Sequence, residues 1–173
     1  MKLFLCMCIL TFNVFASGIL GEKAPSFGVD TWLQNNNKPT LDIKDFKGKV
    51  LYVYGFQAWC PGCHSHGFPT LQKLSKHYAG DKDVAFVAIQ TVFEGYSSNT
   101  IQAAAEIIKR YKLTIPVGHS GINGKRSEFM SRYKSGGTPW TVIIDKTGVV
   151  RFNDFHAKVE NIIQYMDMLK KEL

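Results

Sequence analysis

Cysteine is scarce in this 173-residue chain. Of four, Cys6 and Cys8 fall close to the start, leaving Cys60 and Cys63 for the remainder. That excludes a scaffold stapled by several disulfides. A bridge across two intervening residues would close too small a loop to add much chain-entropy stabilisation, so the pair is better explained by reactivity. Long apolar runs are lacking too. The run at residues 3–10 falls short of the roughly 20 residues that cross a bilayer, so no stable membrane insertion is expected. There is no internal repeat and no low-complexity tract. The net charge of +7 is scattered, as in Lys44, Lys47, Lys49 and Lys109, Arg110, Lys112, without a basic run interleaved with aromatics. No nucleic-acid partner is expected; the charge reads as solvated surface.

Basic Lys2, the short apolar core and small residues at Ala16, Ser17 and Gly18 form the pattern of a secretory signal. We expect residues 1–18 to be a signal peptide cleaved near Ala16 to Gly18, and residues 19–173 to be one exported domain, periplasmic or otherwise outside the cytoplasm. An uncleaved membrane anchor is the alternative. Cys6 follows too short an apolar core to be a lipid-attachment site.

Along the chain, residues 19–41 read as turns and short edge strands, and residues 41–46 as one helical turn. Residues 49–56, β-branched and aromatic, read as a buried central strand. After it, Phe68, Leu71, Leu74 and Tyr78 recur at helical spacing, so a helix is expected to open at Cys60 with Pro61 in its first position and a kink at Pro69. Residues 83–90 form a second buried strand, parallel to the first across a right-handed crossover. Asn99 or Ser98 should cap a helix burying Ile101, Ala104, Ala105, Ile108 and Tyr111. A short apolar piece at 115–117, a loop at 118–124 and a short helix at 125–134 follow. Strands at 140–145 and 149–152 make a hairpin, and a last helix buries Val159, Ile162, Ile163, Met166 and Leu169.

Trp59-Cys60-Pro61-Gly62-Cys63-His64 concentrates the chemistry. Three readings compete for Cys-x-x-Cys-His: a thiol-disulfide pair, covalent haem attachment, or part of a metal site. A haem site calls for helical wrapping and a distal ligand, whereas here the motif follows a buried strand in a mixed α/β chain. The metal reading would use Cys60 and Cys63 with His64, His66 or His119, a set suited to copper(I) or zinc in an exported chaperone. In the redox reading, Cys60 at a helix N-terminus gains anion-favouring dipole and N–H groups and is the nucleophile, while Cys63, one turn further in, is the resolving thiol. Pro139, preceding a strand, is a second candidate, because an X-Pro bond there can be cis and present the backbone of Thr138 to a peptide.

The strand before Trp59 to Cys63, the helix with Pro69, Gly137-Thr138-Pro139, the hairpin through Ile144 to Gly148 and the terminal helix resemble the thioredoxin superfamily. Within it the chain is similar to exported TlpA-like redoxins, a group related to AhpC/TSA domains, which Ala24-Pro25-Ser26-Phe27 and Asp45-Phe46-Lys47-Gly48-Lys49 also match. The resemblance implies an α/β thioredoxin-like fold: a central mixed β-sheet flanked by helices, with an N-terminal extension and an inserted helix. It implies a thiol-disulfide oxidoreductase with catalytic Cys60 and Cys63, substrate contacts at Trp59, Pro61, Gly62, Thr138 and a cis Pro139, and no metal or cofactor beyond the redox-active disulfide. The expected partners are protein thiols and disulfides and an upstream redox protein, met by a monomer. Reduction is the favoured direction; a disulfide-forming oxidase of the same fold is the alternative. Two positions depart from the pattern: Tyr54 stands where many thioredoxins bury an acid that accepts the proton of the second cysteine, and Gln57 stands where a small residue is usual. Glu94 and Glu106 are the acids to examine in that role.

Overall fold

Strand β2 (Val50–Phe56) is buried at all seven positions. Successive side chains of a strand face opposite ways. Val50, Tyr52, Tyr54 and Phe56 accordingly enter one core cluster, and Leu51 and Val53 the other. A strand apolar on both faces needs cover on both. On the Tyr54 side it comes from α1 (Phe68–His77), α2 (Ile101–Tyr111) and α4 (Val159–Lys171), through Leu71, Leu74, Ile107, Ile162, Met166 and Leu169. On the other side α3 (Glu128–Tyr133) supplies Phe129 and Tyr133, joined by Phe27 from the N-terminal extension. The computed structural model that shows this describes residues 19–35, 38–155 and 157–172. The expected signal peptide, residues 1–18, lies outside the described residues.

The sheet has six strands in the order β1-β4-β3-β2-β5-β6, with β1 at Thr31–Gln34, β3 at Val84–Thr91, β4 at Val117–Ser120, β5 at Trp140–Ile144 and β6 at Val150–Phe155. β2, β3 and β4 run parallel, while β1, β5 and β6 are antiparallel to their neighbours, so the sheet is mixed, as expected. The parallel β2–β3 pair runs from Val50 opposite Val84 to Phe56 opposite Gln90. Both strands therefore end beside each other, at the edge where the cysteines follow. Among the described residues no helix is long and apolar enough to cross a membrane.

Four local expectations are corrected. The kink at Pro69 takes the form of one widened turn: Cys63–Gly67 is a π turn in which the Phe68 N–H bonds to the Cys63 carbonyl, five residues back. Pro69 then falls in the first turn of α1, directly after the widened turn. α2 is capped by Thr100, whose hydroxyl oxygen accepts the Ala103 N–H at 3.1 Å, and neither Ser98 nor Asn99 caps it. Its buried residues are Ala104 and Ile107, with Ile101 exposed, because the face that meets the core follows Ala104, Ile107, Ile108 and Tyr111. The stretch expected as a loop from Gly118 contains most of β4, where Gly118 serves a close approach: a Cβ there would lie 2.9 Å from both methyl groups of Val29.

The β5–β6 turn is organised by one buried carboxylate. Asp145 accepts from the N–H and hydroxyl of Thr147 (2.9 and 2.8 Å), from the Val149 N–H (3.0 Å) and from Arg151 (3.1 Å). Burial works to raise its pKa, but the Val149 and Thr147 donors and Arg151 outweigh it and hold the carboxyl below the usual range. A depressed carboxylate pKa contributes stability above the ordinary value of 3.8 that is lost as pH falls through the folded value. Asp145→Ala should therefore cost about 1–3 kcal/mol in urea denaturation at pH 7, a gap that narrows as the pH is lowered below about 4.

Candidate active site

At the end of β2 the backbone leaves the sheet as Gln57-Ala58-Trp59 and turns into the cysteine pair. A buried polar knot holds this loop. The Ala58 N–H donates to Asn99 Oδ1 at 2.8 Å, and Asn99 Nδ2 donates to the carbonyls of Glu94 and Gly95 at 3.1 and 3.2 Å. Gln57, 1 % exposed, donates from Nε2 to the Glu94 carbonyl and accepts the Thr138 hydroxyl on Oε1, each at 3.2 Å. One carboxamide thus ties the cysteine loop to the segment after β3 and to the loop before β5. Every member finds a partner, as buried polar groups must if they are not to destabilise the fold.

The helical turn opens at Pro61, as expected. The Cys60 N–H bonds to the Gln57 carbonyl at 3.2 Å, and the Cys63 N–H points at Cys60 Sγ from 3.3 Å, the geometry that favours a sulfur anion at a helix start. Both cysteines are thiols in this structure. Cys60 keeps 7 % exposure and Cys63 none, which is the outer and inner placement expected of the pair. Burial, then the hydrogen bond with Cys60, pushes the Cys63 thiol up to about 12.

The Thr138-Pro139 bond is cis, and the Thr138 carbonyl lies 3.6 Å from Cys60 Sγ. Pro139 sits over the Cys60–Cys63 turn so closely that a Cβ on Gly62 would stand 3.3 Å from its Cδ. Trp59 is 46 % exposed and lies along Gly95, where a Cβ would approach its indole nitrogen to 3.0 Å. All seven residues expected at the site, Trp59, Cys60, Pro61, Gly62, Cys63, Thr138 and Pro139, are thus gathered at one end of β2 and β5.

The histidines do not join the cysteines. His64 has both ring nitrogens engaged, Nε2 with the Ala58 carbonyl at 2.7 Å and Nδ1 with the Tyr111 hydroxyl at 2.6 Å. His66 Nδ1 meets Ser65. His119 lies on β4, bonded through Nδ1 to Gln90 at 2.9 Å, with its pKa lowered by burial. Among the described residues no group of three histidine, cysteine or acidic side chains converges as a metal site. The haem reading loses its iron ligand to the same two His64 bonds. The acids also stand apart: Glu106 pairs with Lys109 at 2.8 Å on the exposed side of α2, and Glu94 contributes its backbone carbonyl to the knot while its side chain faces solvent. In the place expected for a buried acid, the Tyr54 hydroxyl donates to the Cys63 carbonyl at 3.4 Å.

Asn99 and Tyr111 went unseen at this site from sequence. Asn99 read as a cap, because asparagine before a helix is the ordinary cap signal. Tyr111 read as apolar helix face, which it also is, stacking on Phe68 at 4.2 Å.

A cysteine pair opening a helix at the end of a central strand, faced by a cis proline across a mixed sheet, defines a protein of thioredoxin-like fold. The chain belongs to the Redoxin family, which matches residues 19–166. It is similar to the thiol-disulfide oxidoreductase ResA of Oceanobacillus iheyensis, 28% identical over 131 residues that cover 76% of this chain and 62% of the relative, so the match spans less than two thirds of that protein's length. Among solved structures it is similar to a thioredoxin-like superfamily protein, SPOA0173, at 31% identity and TM-score 0.80, covering 87% of this chain and 97% of the other. A thiol-disulfide isomerase from Corynebacterium glutamicum is 27% identical with TM-score 0.74, over 87% of this chain and 98% of that one.

The inner thiol gives a pH test. In Cys60→Ser, alkylation of Cys63 followed by mass spectrometry should be slow at neutral pH and keep accelerating towards about 12, whereas a rate already level by about pH 9 would contradict the burial. The folded pKa lies above the ordinary 9.0, so the folded state holds a proton that the unfolded chain releases. This contribution to stability is full below pH 9.0 and is lost as pH rises towards about 12, measurable as a falling denaturation midpoint of the reduced protein.

Proposed function

We propose that the protein is a thiol-disulfide oxidoreductase that cycles Cys60 and Cys63 between dithiol and disulfide, acting chiefly as a reductase of protein disulfides outside the cytoplasm. The observation that carries this is the double approach to Cys60 Sγ: the Cys63 N–H from within the redox turn at 3.3 Å, and the Thr138 carbonyl from across the sheet at 3.6 Å. The first stabilises the attacking thiolate. The second puts the backbone before Pro139 beside the reacting sulfur, where an extended substrate chain can lie. Trp59, Pro61, Gly62, Thr138 and Pro139 form the contact surface around it. Cys60 attacks the substrate disulfide, and Cys63 then attacks Cys60, releasing the reduced partner and leaving the Cys60–Cys63 disulfide as the only redox group the cycle needs. An upstream thiol protein returns the electrons, and the unit acts as a monomer. The relatives' names support the reaction class, and the signal-like residues 1–18 support the compartment.

Reduction is the favoured direction because burial penalises the Cys63 anion by more than its neighbouring donors relieve it. A strong oxidant is one whose reduced form is stabilised. Here burial penalises the inner thiolate, which leaves the dithiol the readier electron donor.

Cys60→Ser should abolish turnover of an insulin-type disulfide substrate, and Cys63→Ser should accumulate mixed disulfides on Cys60, resolved by non-reducing electrophoresis. Wild-type turnover in both variants would sink the assignment. The reduction potential of the pair should fall nearer thioredoxin, about −270 mV, than DsbA, about −120 mV; a value near the latter would make the protein an oxidase.

A further inference from the structure

Cys63 must lose its proton and carry charge while it attacks Cys60, yet no carboxylate stands behind it. Tyr54 does. Its ring packs between Phe56 and Phe68, with centroids 5.9 and 5.2 Å away, and the side chain is 1 % exposed. At 3.4 Å its bond to the Cys63 carbonyl is long against the usual 2.7–2.8 Å or so for O–H···O, so the hydroxyl is weakly held. Room for that hydroxyl has been made by another residue. A Cβ on Gly67 would lie 1.9 Å from the Tyr54 oxygen, and Gly67 closes the π turn Cys63–Gly67 that departs from ordinary helix at this place. The same Cβ would lie 2.5 and 2.8 Å from the ring's Cζ and Cε2, so the notch over Gly67 admits the hydroxyl-bearing edge of the ring, with the oxygen seated deepest.

We propose that Tyr54 is the positioning residue of the resolving step: its hydroxyl, seated in the Gly67 notch, turns from the Cys63 carbonyl to donate a hydrogen bond to the Cys63 sulfur as that sulfur becomes an anion. This rests on the redox reading of Cys60 and Cys63. The exchange replaces a weak neutral bond by a charge-assisted one, about twice as strong. Burial, with the neighbouring Cys63 adding to it, holds the Tyr54 phenol protonated, so it acts as a donor and takes no proton. The Gln57 backbone N–H is the second donor to the same sulfur. The titratable neighbours of the pair are Cys60 on the redox turn, Tyr52 on β2 and Tyr111 on α2, the last hydrogen-bonded to His64.

The step balances as follows. In the mixed disulfide, the Cys63 proton passes to hydroxide or water. The Cys63 sulfur attacks Cys60 Sγ, the Cys60–Cys63 bond forms, the bond from Cys60 to the partner's sulfur breaks, and the electron pair leaves on the partner as a thiolate that water protonates. The two cysteines end oxidised and the partner reduced.

The test uses the full chain carrying Cys6→Ser and Cys8→Ser, mixed with dithiobis-nitrobenzoate in stopped flow. Attack by Cys60 releases the first equivalent of coloured thiolate, and resolution by Cys63 the second. In the parent protein the logarithm of the second rate should climb one decade per pH unit between about pH 6 and 9, as expected where the attacking thiol is almost wholly protonated. Tyr54→Phe should give a parallel line about tenfold lower, with the first rate nearly unchanged. Tyr52→Phe, which removes an equally buried hydroxyl bonded to Thr141, should leave both phases as they are. A second phase in Tyr54→Phe that overlays the parent, or an equal loss in Tyr52→Phe, overturns the proposal. Loss of the first phase in the parent would instead overturn the redox reading beneath it.

Discussion

The arrangement depends on β2 being buried on both faces up to its last residue. Because Tyr54 and Phe56 are sealed under α1, the chain that follows emerges into a region already dry, and Cys63 joins the buried cluster that holds Phe56 and Phe68, with no exposure. Desolvation of the inner thiol is therefore built into the central strand. Cys60, three residues earlier and on the rim of the turn, keeps a small exposed surface. One chemical group, placed twice within a single helical turn, acquires two environments from its distance to the sheet.

Dryness also dictates the polar knot. Gln57 and Asn99 are buried, and a buried carboxamide left unpaired would cost on the order of 1–3 kcal/mol. Both find their partners in the backbone of Ala58, Glu94 and Gly95. In doing so they join three chain segments that are far apart in sequence. Gln57 links the loop before β5 to the cysteine loop, since the hydroxyl it receives belongs to Thr138, whose carbonyl lies 3.6 Å from Cys60 Sγ. A side chain larger than the pattern usually allows is tolerated because it fills a bonding need rather than a packing gap.

What could be read from sequence follows from how local the governing physics is. β2, β3, the hairpin and α4 were legible because alternation and helical spacing are carried by neighbouring residues. The cysteine roles were legible because Pro61 fixes where the helix opens. β4 was misread beyond Val117, because Gly118, His119 and Ser120 have poor intrinsic strand character; pairing with β1 and β3 makes them a strand, and Val29 needs the glycine. Asn99 was misread because a cap and a long-range bond to Ala58 place the same demand on a residue before a helix. The widened turn at Cys63–Gly67 joins a local cause, Pro69, to a distant one, the Tyr54 hydroxyl, and only the first is visible in the neighbouring sequence.

That turn also bears on why a tyrosine occupies the place of an acid. A carboxylate beneath Cys63 would be a second ionisable group in the same dry space, stable only as a neutral acid or with a partner charge, and both ring nitrogens of the adjacent His64 are already bonded elsewhere. A phenol brings a donor without a charge. It can stabilise an anion that appears briefly and return to a backbone carbonyl afterwards. In the proposed step the proton goes to hydroxide or water, which makes the inner thiol's reactivity a function of external pH. The dipole of the redox turn and the Cys63 N–H serve Cys60; Tyr54 and the Gln57 N–H serve Cys63. Each sulfur thus has neutral donors of its own, and the pair does not depend on any buried ion.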